Sequence, residues 1–204
     1  MARTRSEHYP EIQRTILQHS ARCFAQTGYA RSSISDLAEA CSLSKGALYH
    51  YFQSKEAILF GILDAHVREL IEHMEKAAQS TSEVDDQCRA VIRAMVEFNA
   101  TSQSEQIVLL NDLTYLSKDE QSVIKGLERR LVDIVSDVLV RLDSSGKITR
   151  RNKKVYAMML FGILNYTYTW YNPNGSVSPR EYADMATDLL MNGMHPAMPA
   201  KSKA

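Results

Sequence analysis

Apolar residues recur every three or four positions along most of this chain, and short polar clusters interrupt them. Glu11 to Gln26 sets Ile12, Ile16, Leu17, Cys23 and Phe24 on one face, which predicts a first amphipathic helix. From Ser54 to about Gln79 the same period carries Ile58, Leu59, Ile62, Leu63, Val67, Leu70, Ile71 and Met74, a long helix that joins the head of the chain to the rest. Further helices are expected over Val84 to Ala100 and Glu105 to Leu116. Ser117 and Glu120 have capping-box spacing and open another through Leu142, which Asp143-Ser144-Ser145-Gly146 ends. The last start is Ser178-Pro179-Arg180-Glu181, with a cap serine, proline at the first helical position and glutamate at the third, and Gly193 is its expected stop.

One predicted helix departs from the amphipathic rule. Asn152 to Tyr171 is apolar on nearly every side, and such a helix has to be covered on every side. One face can meet the internal core while the other needs a second copy of the chain. Tyr156, Leu160, Ile163 and Leu164, with Tyr182, Met185 and Leu189 of the last helix, are therefore the expected interface of a two-fold homodimer.

Between the first helix and the long one, the stretch from Phe24 to Lys55 has a different grammar. Ser33 offers an N-cap hydroxyl with Asp36 three residues on, and a short helix carries Ile34, Leu37 and Ala38 inward. Ser44 then caps a second short helix from Lys45 to Tyr49, with Gly46 and Ala47 at its tip, where a backbone can approach a duplex closely. Arg31, Ser33, Ser44, Lys45, Tyr49, His50 and Lys55 supply donors around that tip. The helix N-termini add amides suited to phosphate oxygens. Arg3 and Arg5, in a polar N-terminal arm, are candidates for a minor groove. This is a helix-turn-helix, and double-stranded DNA is the partner it predicts.

The run Gly28-Tyr29, Ser33-Ile34-Ser35-Asp36-Leu37-Ala38, Leu43-Ser44-Lys45-Gly46-Ala47-Leu48-Tyr49-His50-Tyr51-Phe52 and Ser54-Lys55-Glu56 resembles the N-terminal signature of the TetR family of transcriptional repressors. Cys41 and Leu43 stand where that pattern more often has glycine and valine. The resemblance implies an all-α fold: an N-terminal three-helix bundle with the helix-turn-helix over residues 1–55, and a larger helical effector-binding and dimerisation domain over 56–204. It also implies a homodimer on a palindromic operator, released when a small molecule binds.

Charge and composition fit this organisation. The 204 residues carry no net charge, but through Lys55 seven basic residues face four acidic ones, +3, leaving −3 for the remainder. Positive charge collects where the motif does. With 45% apolar residues the chain has enough to build a core. Cys23, Cys41 and Cys88 form neither a disulfide framework nor a zinc motif. No segment is a membrane span or a leader, so the cytoplasm is the expected location. Enzymatic activity is not expected, because no nucleophile elbow or phosphate loop is present. His66, Glu69 and His73 share a helical face, but seven residues separate the histidines by about 10 Å along the axis, so no metal or other cofactor is expected.

The candidate sensor pocket draws on Met95, Phe98, Leu110, Leu113, Tyr115, Met159, Tyr166 and Trp170, with Asn99, Asn111 and Asn165 as polar tips. Such a lining suits a largely apolar molecule. The segment Asn165 to Gly175 is similar to family members that respond to acyl-CoA thioesters, and Lys125, Arg129, Arg130, Arg150, Arg151, Lys153 and Lys154 are candidate cations for such a ligand. Two other expectations stand beside it: a repressor of an efflux gene that senses hydrophobic compounds, and a DNA-binding protein without small-molecule control.

Overall fold

The computed structural model describes residues 8–194, and the described residues are helical throughout with no strand. Two compact units emerge. The first contains α1 (Tyr9–Thr27), a 3-10 turn (Tyr29–Arg31), α2 (Ile34–Ala40), α3 (Lys45–Tyr51) and the first half of α4 (Lys55–Ala78). It also takes in Ser102–Leu127, which holds α6 (Gln103–Asp112), a second 3-10 turn (Leu113–Tyr115) and the start of α7 (Lys118–Leu142). The second unit holds the rest of α4 and α7, with α5 (Val84–Thr101), α8 (Lys153–Asn165) and α9 (Pro179–Met194).

In the first unit, α1 buries Ile16, Ser20, Ala21 and Phe24 and packs chiefly against α6 and α2. Gly28 ends it at φ 85°, a conformation only glycine adopts cheaply, with its amide donating to the Phe24 carbonyl at 2.8 Å. The capping box of α2 is complete: the Asp36 amide donates to Ser33 Oγ at 3.3 Å and the Ser33 amide to Asp36 Oδ2 at 2.7 Å. Those two Ser33 groups, the amide first, hold the Asp36 carboxyl below its ordinary range.

The turn between α2 and α3 forms without the glycine of the family pattern. Cys41 sits at φ −90° and has no need of glycine; the left-handed residue is Ser42 at φ 54°. The Ser42 amide donates to the Glu39 carbonyl and that of Leu43 to Ala38, the paired bonds of a Schellman turn, which place the positive φ one residue beyond Cys41. Ser44 then caps α3 through the Ala47 amide at 3.1 Å, and Ser54 caps α4 through Ala57 at 3.1 Å. Gly61 of α4 lets that helix close on α1, since an added Cβ would lie 3.0 Å from Leu17 Cδ2.

In the second unit α5 packs chiefly on α9. Arg89 pairs with Asp188 at 2.7 Å and Arg93 with Asp184 at 2.6 Å. Four residues forward on α5 are four back on α9, so the two helices run antiparallel. Lys153 and Lys154 pair with Asp137 and Asp133, joining α8 to α7. The boxes at Ser117–Glu120 and Ser178–Glu181 both form, with amide-to-hydroxyl bonds of 3.3 and 3.2 Å.

Two helix ends differ from expectation. The apolar helix stops at Asn165 and tightens into a 3-10 turn (Tyr166–Thr169), where Thr167 and Thr169 hydroxyls donate to the carbonyls of Leu164 and Tyr166. Gly193 does not stop α9, which runs to Met194, because a terminating glycine needs positive φ and Gly193 has none. Nor is α8 covered on every side within one chain. Ala157, Leu160, Phe161 and Leu164 turn inward, leaving Val155, Met158, Met159 and Ile163 in solvent. Among the described residues no helix is long and apolar enough to cross a membrane.

Candidate nucleic-acid interface and sensor residues

The α2–α3 pair buries Leu37, Ala38 and Leu48, and this anchors two short helices whose other faces stay open. Ser33, Ser44, Lys45, Gly46, Tyr49 and His50 are exposed around the tip of α3, with Ala47 half-buried. An added Cβ at Gly46 would meet Ser44 Oγ only at 4.0 Å, ordinary contact, so nothing in the head's own packing demands a glycine there. The room lies on the outer side. His50 is braced by Tyr9 of α1, whose ring stands edge-on at 6.0 Å, while Tyr9 packs on Tyr51 at 4.9 Å. Arg31 is exposed and donates through Nε to the Thr27 carbonyl at 2.6 Å. The arm residues Arg3 and Arg5 lie outside the described residues.

Lys55 has a different placement from the one expected. Its ammonium turns inward, donating to the carbonyls of Tyr29 at 3.0 Å and Ser32 at 2.9 Å, and stands 4.2 Å over the Tyr29 ring. Two carbonyls and an aromatic face satisfy it inside the head, so it does not belong with the outward donors. Tyr29 itself is buried, and its phenol donates to Glu56 Oε1 at 3.0 Å. Burial, then the neighbouring Glu56 carboxylate, pushes that phenol well above its ordinary range.

The stretch that builds these two capped short helices is matched by known proteins. Residues 16–73 match the family model of bacterial regulatory proteins, tetR family, and residues 81–194, more than half of the chain, match the tetracyclin repressor-like C-terminal domain. The chain belongs to the TetR family. It is thus a DNA-binding transcriptional regulator. A TetR-family transcriptional regulator from Bordetella parapertussis 12822 is similar at 36% identity and TM-score 0.83, covering 88% of this chain and 93% of that one. AibR, solved with isovaleryl coenzyme A and operator DNA, is similar at 25% identity and TM-score 0.77 over 88% of this chain and 98% of its own. The fatty acid metabolism regulator protein of Bacillus subtilis (strain 168) is 22% identical over 182 residues, 88% of this chain and 94% of that protein.

The expected sensor residues of this TetR-family chain are divided between the two units. Met95 is buried and Phe98 half-buried on α5, with the His73 ring 5.1 Å from Phe98. Leu110, Leu113 and Tyr115 belong to the unit that carries the head, where Tyr115 packs on Tyr29. Met159, Tyr166 and Trp170 are on the surface, each more than 60% exposed. Leu160 and Leu164, expected at a dimer interface, are instead 3% and 2% exposed inside their own unit. Ile163, Met185 and Leu189 are exposed; Tyr156 and Tyr182 are half-buried, the latter donating to the Ile163 carbonyl at 3.1 Å.

Two polar groups stand out in the second unit. Asn99 Oδ1 and Ser136 Oγ are buried without a hydrogen-bond partner. The expected polar tips included Asn99 but not Ser136, whose place on the inner face of α7 follows only from the period of Leu131, Val135, Val138 and Leu139. Of the expected cations, Arg130 pairs with Glu75 at 2.6 Å and Lys153 and Lys154 with aspartates, whereas Arg150 and Arg151 are exposed. The first unit also has a cleft of about 70 Å³ lined by Arg14, Gln18, His66, Glu69 and Glu105 among others. That is far below the several hundred cubic ångströms a small-molecule site occupies. His66 is buried there with Nε2 2.9 Å from Gln106 Oε1, and burial keeps its imidazole below the ordinary range.

Proposed function

We propose that this protein is a ligand-released repressor that holds a palindromic operator as a homodimer and senses a largely apolar small molecule of the acyl-CoA class. The observation that carries the dimer is the open apolar face of α8 and α9: Val155, Met158, Met159, Ile163, Met185 and Leu189 are all exposed. A contiguous apolar face of this kind on a monomer marks an association site. Trp170, close-packed with Tyr182 at 5.9 Å, extends it. A second copy offers the same face, and two heads then read two half-sites one helical turn apart, about 34–36 Å. In this reading Ser33, Ser44, Lys45, Gly46, Ala47, Tyr49, His50 and Arg31 meet the DNA.

The effector class is supported by the likeness to AibR and by the chemistry of the second unit, where Met95 and Phe98 lie beside the unpartnered Asn99 oxygen on α5. Arg150 and Arg151 are open cations suited to the phosphates of a coenzyme. Release follows from linkage: the effector has to bind better to a dimer whose heads are wrongly spaced than to the DNA-competent one. The test has two parts. Sedimentation equilibrium of the purified chain should give twice the monomer mass. Isovaleryl-CoA and palmitoyl-CoA, titrated into the protein on a DNA palindrome selected from a random pool, should displace the DNA at micromolar concentration. A monomer, or DNA retained against both thioesters, removes the corresponding half of the proposal.

A further inference from the structure

By sequence α6 and the 3-10 turn after it lie within the stretch matched to the C-terminal domain, residues 81–194, yet by packing they belong to the DNA-reading head. Beyond the packing of α6 on α1, they reach the base of the reading helices at Tyr29. The Tyr115 ring of the turn after α6 packs on the Tyr29 ring at 4.8 Å and 35°, and the Asp112 carboxylate at the end of α6 faces the Tyr29 amide, which favours its charged form. Asp112 is buried, and burial raises its carboxyl above the ordinary range despite that amide. Tyr115 is almost half exposed. Its contact with Tyr29 therefore lies at the surface.

On its other side Tyr29 controls the geometry of the reading helices. Its phenol is held by Glu56, its carbonyl by Lys55, and the same ammonium takes the Ser32 carbonyl. Ser33, the next residue, is the N-cap of α2, and Lys55 is the first residue of α4. The chain that forms α2 and α3 thus leaves and returns at a single clamp. A displacement of Tyr29 displaces the N-cap of α2 and the exit of α3 together.

We infer that Asp112 and Tyr115 are positioning residues for DNA reading: they touch no DNA, and they set the pose of α2 and α3 by holding Tyr29 from α6. The inference rests on the head binding DNA and not on which effector releases it. Chains of packed and hydrogen-bonded groups of this kind transmit coupling between sites.

The test compares Asp112→Ala and Tyr115→Ala with the conservative variants Asp112→Asn and Tyr115→Phe in the full chain. Asparagine still accepts the Tyr29 amide, and phenylalanine still stacks. Fluorescence anisotropy with DNA selected by the wild-type protein should show both alanine variants weakened roughly five- to twentyfold, in line with the coupling such networks carry. Both conservative variants should stay within about twofold of wild type on the same scale, and the salt dependence should be the same in all four. Hydrogen exchange should quicken at Tyr29 and across 33–51 in the alanine variants, with 84–101 and 179–194 unchanged. The inference is overturned by alanine variants that bind as wild type does, by conservative variants as weak as the alanines, or by exchange that quickens equally in both units. Failure of acyl-CoA thioesters to release DNA would leave this result intact, because no effector enters the measurement.

Discussion

Lys55 Nζ donates to the Tyr29 carbonyl at 3.0 Å while standing 4.2 Å over the same residue's ring. That double engagement separates the two lysines of the head. Lys45 is exposed at the tip of α3, whereas Lys55 is a structural cation. Replacing Lys45 with alanine should weaken operator binding by about 1–3 kcal/mol and relax the base preference at one position, as loss of a donor at a base edge does. Lys55→Met should lower the thermal midpoint, with hydrogen bonds to an ammonium contributing about 1.5–3 kcal/mol. It should leave both base preference and the slope of log K against log salt unchanged. Selection of bound sequences with each variant, together with binding at several salt concentrations, measures both.

Ser42 invites a stabilising change. It holds φ 54° in the Schellman turn between α2 and α3, a conformation that costs a side-chain-bearing residue roughly 1–2 kcal/mol. Glycine meets no such penalty but loses more backbone entropy on folding. The balance predicts that Ser42→Gly raises stability by about 0.5–1 kcal/mol, read as a higher urea midpoint at unchanged slope. Cys41→Gly, at φ −90°, should destabilise instead.

These two positions also show how far sequence alone reaches. The capping boxes at Ser33, Ser117 and Ser178 were legible because each closes within three residues, and all three form. The apolar period placed α1, α4 and α5 to within a few residues, and the start and stop signals did the same for α7. The inward turn of Lys55 was not legible, since its acceptors lie 26 and 23 residues earlier and nothing local distinguishes it from a DNA-facing lysine. The same holds for Tyr115, whose partner is Tyr29, and for Leu160, whose burial depends on which side of an all-apolar helix meets its own chain. Periodicity detects that α8 is apolar all round; only packing divides its faces.

Tyr29 predicts a particular alkaline behaviour. Its phenol is shifted upward by burial and by Glu56, so the folded state keeps the proton where the unfolded chain, near the ordinary value of about 10, gives it up. The stability that this contributes is fully present below about pH 10 and is lost as pH rises from there toward the folded-state value. Tyr29→Phe should be less stable at neutral pH by about 1 kcal/mol, for the lost bond to Glu56. Its stability should nonetheless decline less than that of wild type between about pH 9 and pH 11. Urea melts across that range decide it; parallel declines would remove Tyr29 as the source.

The two faces of α8 and α9 make the sharpest contrast. Leu189 is 66% exposed and Leu160 is 3% exposed, although both are leucines in neighbouring apolar helices. Leu160→Ala should cost about 2–5 kcal/mol of folding stability, the range for a buried leucine that leaves a cavity, and the folded fraction should keep the wild-type sedimentation coefficient. Leu189→Asp should do the reverse. An exposed side chain contributes little to the fold of its own chain, so the thermal midpoint of the monomer should hold while a carboxylate facing its own symmetry mate breaks a two-fold contact. Sedimentation should then report the monomer mass. A monomer engages one half-site and roughly half the phosphates, so the slope of log K against log salt should fall by about half. A Leu189→Asp protein that sediments and binds as wild type would place the dimer contact elsewhere on the chain.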